Sequence, residues 1–393
     1  MTVSPSQQDI ERISQGYDPD PARSSSLLSE AYTEALWAKI EPEAIFKRSW
    51  QWVCHGEKLR EPGAYIATEV AAQPVCVIRD REGRLRGFYN VCKHRAHELL
   101  RGEGRTRLIV CPYHAWSYDL TGQLRGAPKT EHLKDFEPGV ICLDPVQVEE
   151  FCGFIFVNLD PAASPLIQES GALADEIRQW APDIEKLTFA KRLTYDIRSN
   201  WKNVVDNFLE CYHCPRAHKD FCTLVDMDTY RVTTHGIYSS HMAEAGKSAN
   251  SAYAVADASV RDHAVWWLWP NTCLMRYPGR GNIIVMQIIP AGPNRTLETY
   301  DFFFETADPV AAEREAIQYI DEVLQAEDIA LVESVQRGMS TPAFNQGRIV
   351  HDPAGSGKSE HAVHHFHGLL LDAYAKAQAG PEEQAETNAA GSS

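Results

Sequence analysis

Two short motifs constrain this chain more than anything else in it. Cys92-x-His94 is followed, after sixteen residues, by Cys111-x-x-His114. Each half offers one thiol and one imidazole. Zinc sites more often keep like ligands together, as C-x-x-C and then H-x3–5-H. Mixed halves allow both thiolates to reach one metal and both imidazoles another, which is the ligand set of a two-iron, two-sulfide cluster. Neutral histidine ligands raise the potential of such a cluster above that of an all-cysteine one. That suits a centre that takes electrons from a donor and passes them on. A tetrahedral Cys2His2 zinc site is the competing reading. Tyr113 and Trp116, beside the second half, read as core aromatics.

The texture around these motifs is that of a small all-β domain. From Gln51 to about Leu159, short segments such as AYIATEVAA, PVCVIRD, LRGFYNV and GFIFVNL are separated by Gly and charged turns. PAASP (161–165) reads as a linker, and a helix fits 167–180. Residues 1 to about 30 read as a loosely ordered arm, followed by a helix through Ala35, Leu36 and Ile40. The expected boundaries are an arm and helix over 1–45, a cluster domain over 46–160, a second domain over 161–377 and a disordered Ala/Glu/Gly/Ser-rich tail over 378–393. At 393 residues the chain is long enough for two domains. No run of 18 apolar residues is present, so no membrane span is expected. The polar N-terminus lacks a signal-peptide pattern, and cytoplasm is the expected location. Ten cysteines in such a protein do not form a disulfide framework and should be mostly buried thiols. A net charge of −16 argues against nucleic acid and mildly favours a cationic substrate.

The second domain mixes classes. NWKNVVDNFLECYH (200–213) is predicted helical. Strand-like stretches follow, and then a long helix over 310–339 with apolar Ile317, Ile320, Leu324, Ile329 and Leu331. His213 and His218 are five apart, too far round a continuous helix to meet. Pro215 breaks the helix between them, so both can converge on one ion. Two histidines and one carboxylate form the facial triad of O2-activating iron. The long helix offers Asp321, Glu322, Glu327, Asp328 and Glu333, and the pattern does not choose among them. Glu210, three residues before His213, can hydrogen-bond its non-ligating nitrogen from the same helical face. Cys211 and Cys214 read as packing residues, and His364, His365 and His367 as structural.

Together, NVCKHRAH…CPYHAW and NWKNVVDNFLECYHCPRAH resemble the Rieske non-haem iron oxygenases, over roughly residues 30–375. The resemblance implies an α+β chain: an N-terminal Rieske all-β domain and a C-terminal helix-grip (START/Bet v1-like) domain with an antiparallel sheet. It implies a 2Fe–2S cluster on Cys92, His94, Cys111 and His114, and a mononuclear Fe(II) on His213, His218 and Asp328. Glu210 stands where most of the family has Asp. That variant, with LVESVQRG and GSGKSEHAVHHFHGLL, looks like the carnitine monooxygenase group of the family. A homotrimer is then implied, in which Glu210 bridges the iron of one subunit to the cluster of the next. A separate flavin/iron–sulfur reductase would bring electrons from NAD(P)H. O2 would hydroxylate a quaternary ammonium substrate such as carnitine, gamma-butyrobetaine or glycine betaine, with C–N cleavage or N-demethylation.

A trimethylammonium group needs aromatic faces. Trp266, Trp267 and Trp269 in HAVWWLWPN, with Tyr277, are the candidates. The rivals are an aromatic-ring hydroxylating member of the family, against which Glu210 argues, and a simple electron carrier, for which the chain is too long. The cluster region carries a run of basic residues, among them Arg101 and Arg105, within an acidic protein. That face is expected to dock an acidic electron donor. Reversing the charges of Arg101 and Arg105 should flatten the salt dependence of cluster reduction in stopped-flow measurements; an unaltered dependence would remove the docking role.

Overall fold

A computed structural model describes residues 4–246, 250–255 and 258–390. The chain divides into two compact units, Phe46–Glu169 and Met1–Ile45 with Ser170–Ser393. No helix among the described residues is long and apolar enough to cross a membrane.

The unit Phe46–Glu169 is β-rich, as its alternating segments predict. Seven antiparallel strands lie in the order Gln51–His55, Phe154–Asn158, Pro145–Phe151, Leu85–Tyr89, Gln73–Arg79, Ala64–Val70, Glu103–Arg105. A small second sheet pairs Ile109–Val110, Ser117–Tyr118 and Leu124–Gly126. The unit closes at Glu169 rather than at 160, because the expected linker packs on it. Trp50 Nε1 donates to Ser164 O at 3.1 Å, and Leu166 N donates to Glu149 Oε2 at 2.9 Å. The helix predicted over 167–180 is two helices, Leu166–Glu169 and Leu173–Trp180. They are separated at Gly171, whose φ of +56° suits a residue without Cβ.

The other unit is built on seven antiparallel strands in the order Thr188–Ile197, Arg295–Phe304, Asn282–Gly292, Thr272–Arg276, His263–Leu268, Tyr238–Ala243, Arg231–His235. Helices cover both faces. Trp266 Nε1 donates to Glu176 of Leu173–Trp180 on one face, at 3.0 Å. On the other face Trp267 packs against Phe366 of the last helix, and Phe366 packs in turn on Trp201. Double coverage explains why His263–Leu268 is buried at every position and shows no alternation.

Several local expectations are corrected. The N-terminal arm contains a helix, Gln7–Ile13, closed by a capping box between Ser6 and Asp9 and anchored by buried Ile10 and Ile13. The predicted helix over 310–339 is Ala311–Tyr319, a π-helical turn Ile320–Leu324, and Gln325–Met339. The last helix runs from His361 to Ala390, through most of the expected tail. Ala, Glu and Gln there are good helix formers that composition alone assigns to disorder; 391–393 lie outside the described residues.

A buried polar knot fixes the helix that leads to the second site. Glu41 accepts from Trp201 Nε1 at 2.7 Å and Tyr374 Oη at 2.9 Å, and pairs with the Lys202 ammonium, which is wholly buried. Burial pulls the Lys202 pKa down, and the Glu41 charge opposes that. Removing Glu41 strands a buried cation. Glu41→Ala should therefore cost about 3–5 kcal/mol in chemical denaturation, and Glu41→Ala with Lys202→Met should recover most of it. A loss below about 1 kcal/mol, the scale of an exposed ion pair, would show that the pair is solvated.

Candidate metal centres

The Cys92–His94 loop follows the strand Leu85–Tyr89, and the Cys111–His114 loop joins the first two strands of the small sheet. The two loops close alike. Ala96 N donates to Cys92 O and Ala115 N to Cys111 O, each at 3.0 Å. Both alanines take left-handed φ values, 57° and 59°. The thiols of Cys92 and Cys111 are buried, whereas His94 and His114 are exposed at the tip with ring centroids 4.7 Å apart. Trp116, expected to be a core aromatic, is buried and stacks on His94; Tyr113 lies exposed against His114. Buried sulfurs beneath a pair of outward imidazoles fit a cluster with one iron inside and one at the surface. Two supporting residues escaped sequence reasoning. Asn90 clamps the exit of the first loop, its Oδ1 accepting from Leu99 N and Leu100 N. Tyr118 Oη lies 3.3 Å from Cys92 Sγ and accepts from Lys93 N at 3.0 Å.

At the other site, Trp201–Phe208 is capped by Asn200, whose side chain accepts from Lys202 N. The helix ends at Leu209, before the ligand residues. Pro215 therefore does not break a helix; it opens a short one, Cys214–Ala217, between His213 and His218. Glu210 is likewise not on a helical face. It sits in the turn, accepting from His213 N at 3.1 Å, from Tyr212 N and from His213 Nδ1. Cys211 and Cys214, read as packing residues, are buried and joined by a disulfide.

This turn brings His213 and His218 together, and the helix Gln325–Met339 supplies Asp328. The two Nε2 atoms are 3.0 Å apart, and Asp328 Oδ1 lies 3.0 Å from His218 Nε2 and 3.6 Å from His213 Nε2. Donor atoms of the three residues all lie within 4.8 Å of one another. Each imidazole is held from behind by a carboxylate: His213 Nδ1 by Glu210, and His218 Nδ1 by Glu327 Oε2 at 2.8 Å. That is the usual support for metal-binding histidine. Of the other acidic candidates, Asp321 accepts from Tyr195 Oη, Glu322 from Gln318 and Glu333 from Arg198.

The electrostatics suit a cation. Burial disfavours protonation of His213, yet hydrogen bonds to Asp328 and Glu210 outweigh it and lift the pKa to about 10. Burial likewise pushes Asp328 up, but the two imidazoles bring it down to about 2. Glu210, Glu327 and Asp328 together favour a positive charge at the point the two imidazoles face, and a divalent metal meets the same potential. The donor set fits a 2-His-1-carboxylate iron centre with open positions.

These residues line a cavity of about 90 Å³. Phe221, Tyr230, His263 and Tyr277 form one aromatic wall: His263 lies 5.3 Å from Phe221, 5.8 Å from Tyr230 and 5.0 Å from Tyr277, between centroids. Of the four aromatic residues expected at the substrate, only Tyr277 is there. Trp266 points through the opposite face of the sheet, and Trp267 and Trp269 pack on Phe366, so these three are not lining residues. Gly357 from the late Gly-rich motif lets the wall close, since a Cβ there would meet the Tyr230 ring at 2.7 Å.

Residues 49–137 match the Rieske [2Fe-2S] domain, and residues 184–376 match the ring hydroxylating alpha subunit (catalytic domain). The chain is 35% identical to the carnitine monooxygenase oxygenase subunit of Escherichia coli K12, across 92% of this chain and 97% of that one. It is 32% identical to the chloroplastic choline monooxygenase of Beta vulgaris, across 94% of this chain and 82% of that one. Solved structures of a quaternary ammonium Rieske monooxygenase superimpose closely. The complex with L-carnitine gives a TM-score of 0.81 at 34% identity, covering 90% of this chain and 97% of that one. The complex with gamma-butyrobetaine gives 0.80 at 33%, covering 93% and 98%. The domain order, the converging donors of His213, His218 and Asp328 and these likenesses place the chain in one family: it is a Rieske-type oxygenase alpha subunit, an oxidoreductase of the monooxygenase branch.

Proposed function

We propose that this chain is the oxygenase component of a two-component monooxygenase acting on a quaternary ammonium compound, such as carnitine, gamma-butyrobetaine, glycine betaine or a similar betaine. The observation that carries this reading is the facial set of His213, His218 and Asp328 opening onto an aromatic-walled cavity. The names of the relatives support the same substrate class. Cys92, His94, Cys111 and His114 would hold the 2Fe–2S cluster, and His213, His218 and Asp328 the mononuclear Fe(II). When bound, the cluster supplies single electrons and the iron activates dioxygen toward a substrate C–H bond. Hydroxylation beside the quaternary nitrogen leaves a carbon bearing both nitrogen and hydroxyl, which collapses to an amine and a carbonyl. C–N cleavage and N-demethylation are the two outcomes, according to which carbon reacts.

The chain's own residues have distinct tasks. Glu210 and Glu327 fix the imidazole tautomers so that both Nε2 atoms face the metal position. Phe221, Tyr230 and Tyr277 exclude water and offer their π faces to the cation. His263 stays neutral in that wall, because burial takes its pKa down to about 3. We further propose a homotrimer in which Glu210 bridges His213 to His114 of the partner subunit. Exposed Tyr113 and Tyr212, each next to a ligand histidine, suit burial at such a contact. The electron donor would be a flavin/iron–sulfur reductase using NAD(P)H. A cytoplasmic setting belongs to the same proposal, since a reducing compartment keeps Cys92 and Cys111 available as thiolate ligands.

The reaction is tested with reductase, NADH and a panel of carnitine, gamma-butyrobetaine, glycine betaine, choline and a simple arene, read by product mass. Oxygen gain, methyl loss or trimethylamine release from an ammonium compound is expected. Turnover of the arene alone would transfer the chain to the ring-hydroxylating reading. The support of His218 is tested separately. Glu327→Ala should weaken iron binding roughly 10- to 100-fold in metal analysis while leaving the cluster absorbance intact. Unchanged iron retention would reduce Glu327 to a surface charge.

A further inference from the structure

One buried charge in the cavity takes no part in metal binding. Glu298 is 1% exposed and sits on the inner face of Arg295–Phe304, two residues from Tyr300, with both lining the cavity. Its carboxylate accepts from Gln325 Nε2, and Gln325 Oε1 in turn accepts from Tyr300 Oη at 2.8 Å. Both ends of the amide are thus used in orienting the carboxylate. Among the described residues no arginine, lysine or histidine pairs with it. A buried carboxylate without a cation is costly, so such groups are normally paired or neutralised. Without a cation beside it, burial and the nearby Asp328 hold its pKa well above the usual carboxylate range, and a cation bound in the cavity would favour the ionised form.

We propose that Glu298 is the counter-charge for the substrate's quaternary ammonium group, so that the cavity reads the cationic end of a betaine and not its carboxylate. This rests on the quaternary ammonium reading above. A nitrogen carrying four carbons has no N–H, so it binds through unshared negative potential rather than hydrogen bonds. Glu298 supplies a formal charge for it, and the faces of Tyr277, Tyr230 and Phe221 supply the quadrupole. His263 is neutral and does not compete. Among the described residues no arginine or lysine lines the cavity. A substrate carboxylate therefore gains no arginine or lysine partner from these lining residues. Sequence could not single out Glu298, because TLETYDFFFET shows its carboxylate only as an ordinary strand residue.

The test measures binding to iron-loaded holoenzyme by calorimetry. Three probes are used: gamma-butyrobetaine, butyltrimethylammonium (which lacks the carboxylate) and 5,5-dimethylhexanoate (in which carbon replaces the cationic nitrogen). The wild type should bind both cations and discriminate against the neutral-headed acid. Glu298→Gln should weaken both cations at least about tenfold, leave the acid unaffected or improved, and keep iron content unchanged. Glu298→Asp, which keeps the charge, should keep the preference for cation over isostere. That variant decides the matter if the glutamine protein does not fold. Cation affinity preserved within about threefold in Glu298→Gln, or preference lost in Glu298→Asp, overturns the assignment while leaving the substrate class intact. Failure of the wild type to bind either cation overturns both.

Discussion

The catalytic half of this protein depends on one electrostatic arrangement: two imidazoles held from behind by carboxylates while facing a third. Glu210 and Glu327 fix the Nδ1 sides of His213 and His218, so the two Nε2 atoms converge with Asp328 on a single point. Without a metal, the same negative potential raises the His213 pKa to about 10. Such an arrangement suits a cation, and donors fixed in place from behind are what preorganisation of a metal centre requires.

The rest of the unit serves that convergence. The knot around Glu41 and Lys202 anchors the helix leading into the ligand turn. The π-helical turn at Ile320–Leu324 inserts an extra residue into the carboxylate-bearing helix just before Gln325 and Asp328. Both of those residues then face the cavity, one steering Glu298 and the other meeting His213 and His218. The strands contribute an aromatic wall because His263 and Val265 fall on the inner face while Trp266 falls on the outer one.

What was legible in the sequence followed from how rigid each chemical requirement is. A cluster needs its ligands at fixed spacing in turns, so Cys92, His94, Cys111 and His114 stand out as candidates. His213 and His218 were legible for the same reason, although the helix boundary near them was misread: Leu209 ends the helix and Pro215 starts the next one. The third carboxylate was open to spacing alone, because five acids on one long helix look alike until packing assigns each a partner; the family pattern singled out Asp328. Trp266 misleads because a strand buried on both faces carries no alternation to say which side lines a cavity, and Trp267 and Trp269 because Phe366 of the last helix packs on them. Glu327, Tyr118 and Glu298 escaped because their roles arise only from groups distant in the chain.

The central claim is that one chain carries two iron centres whose ligand sets are independent. Iron analysis and EPR of anaerobically reduced protein, with and without His218→Ala, test it most directly. The wild type should hold about three irons per chain and show a Rieske-type signal; the variant should drop to about two and keep that signal unaltered. A variant that retains all its iron, or loses the cluster signal along with one iron, would contradict the account.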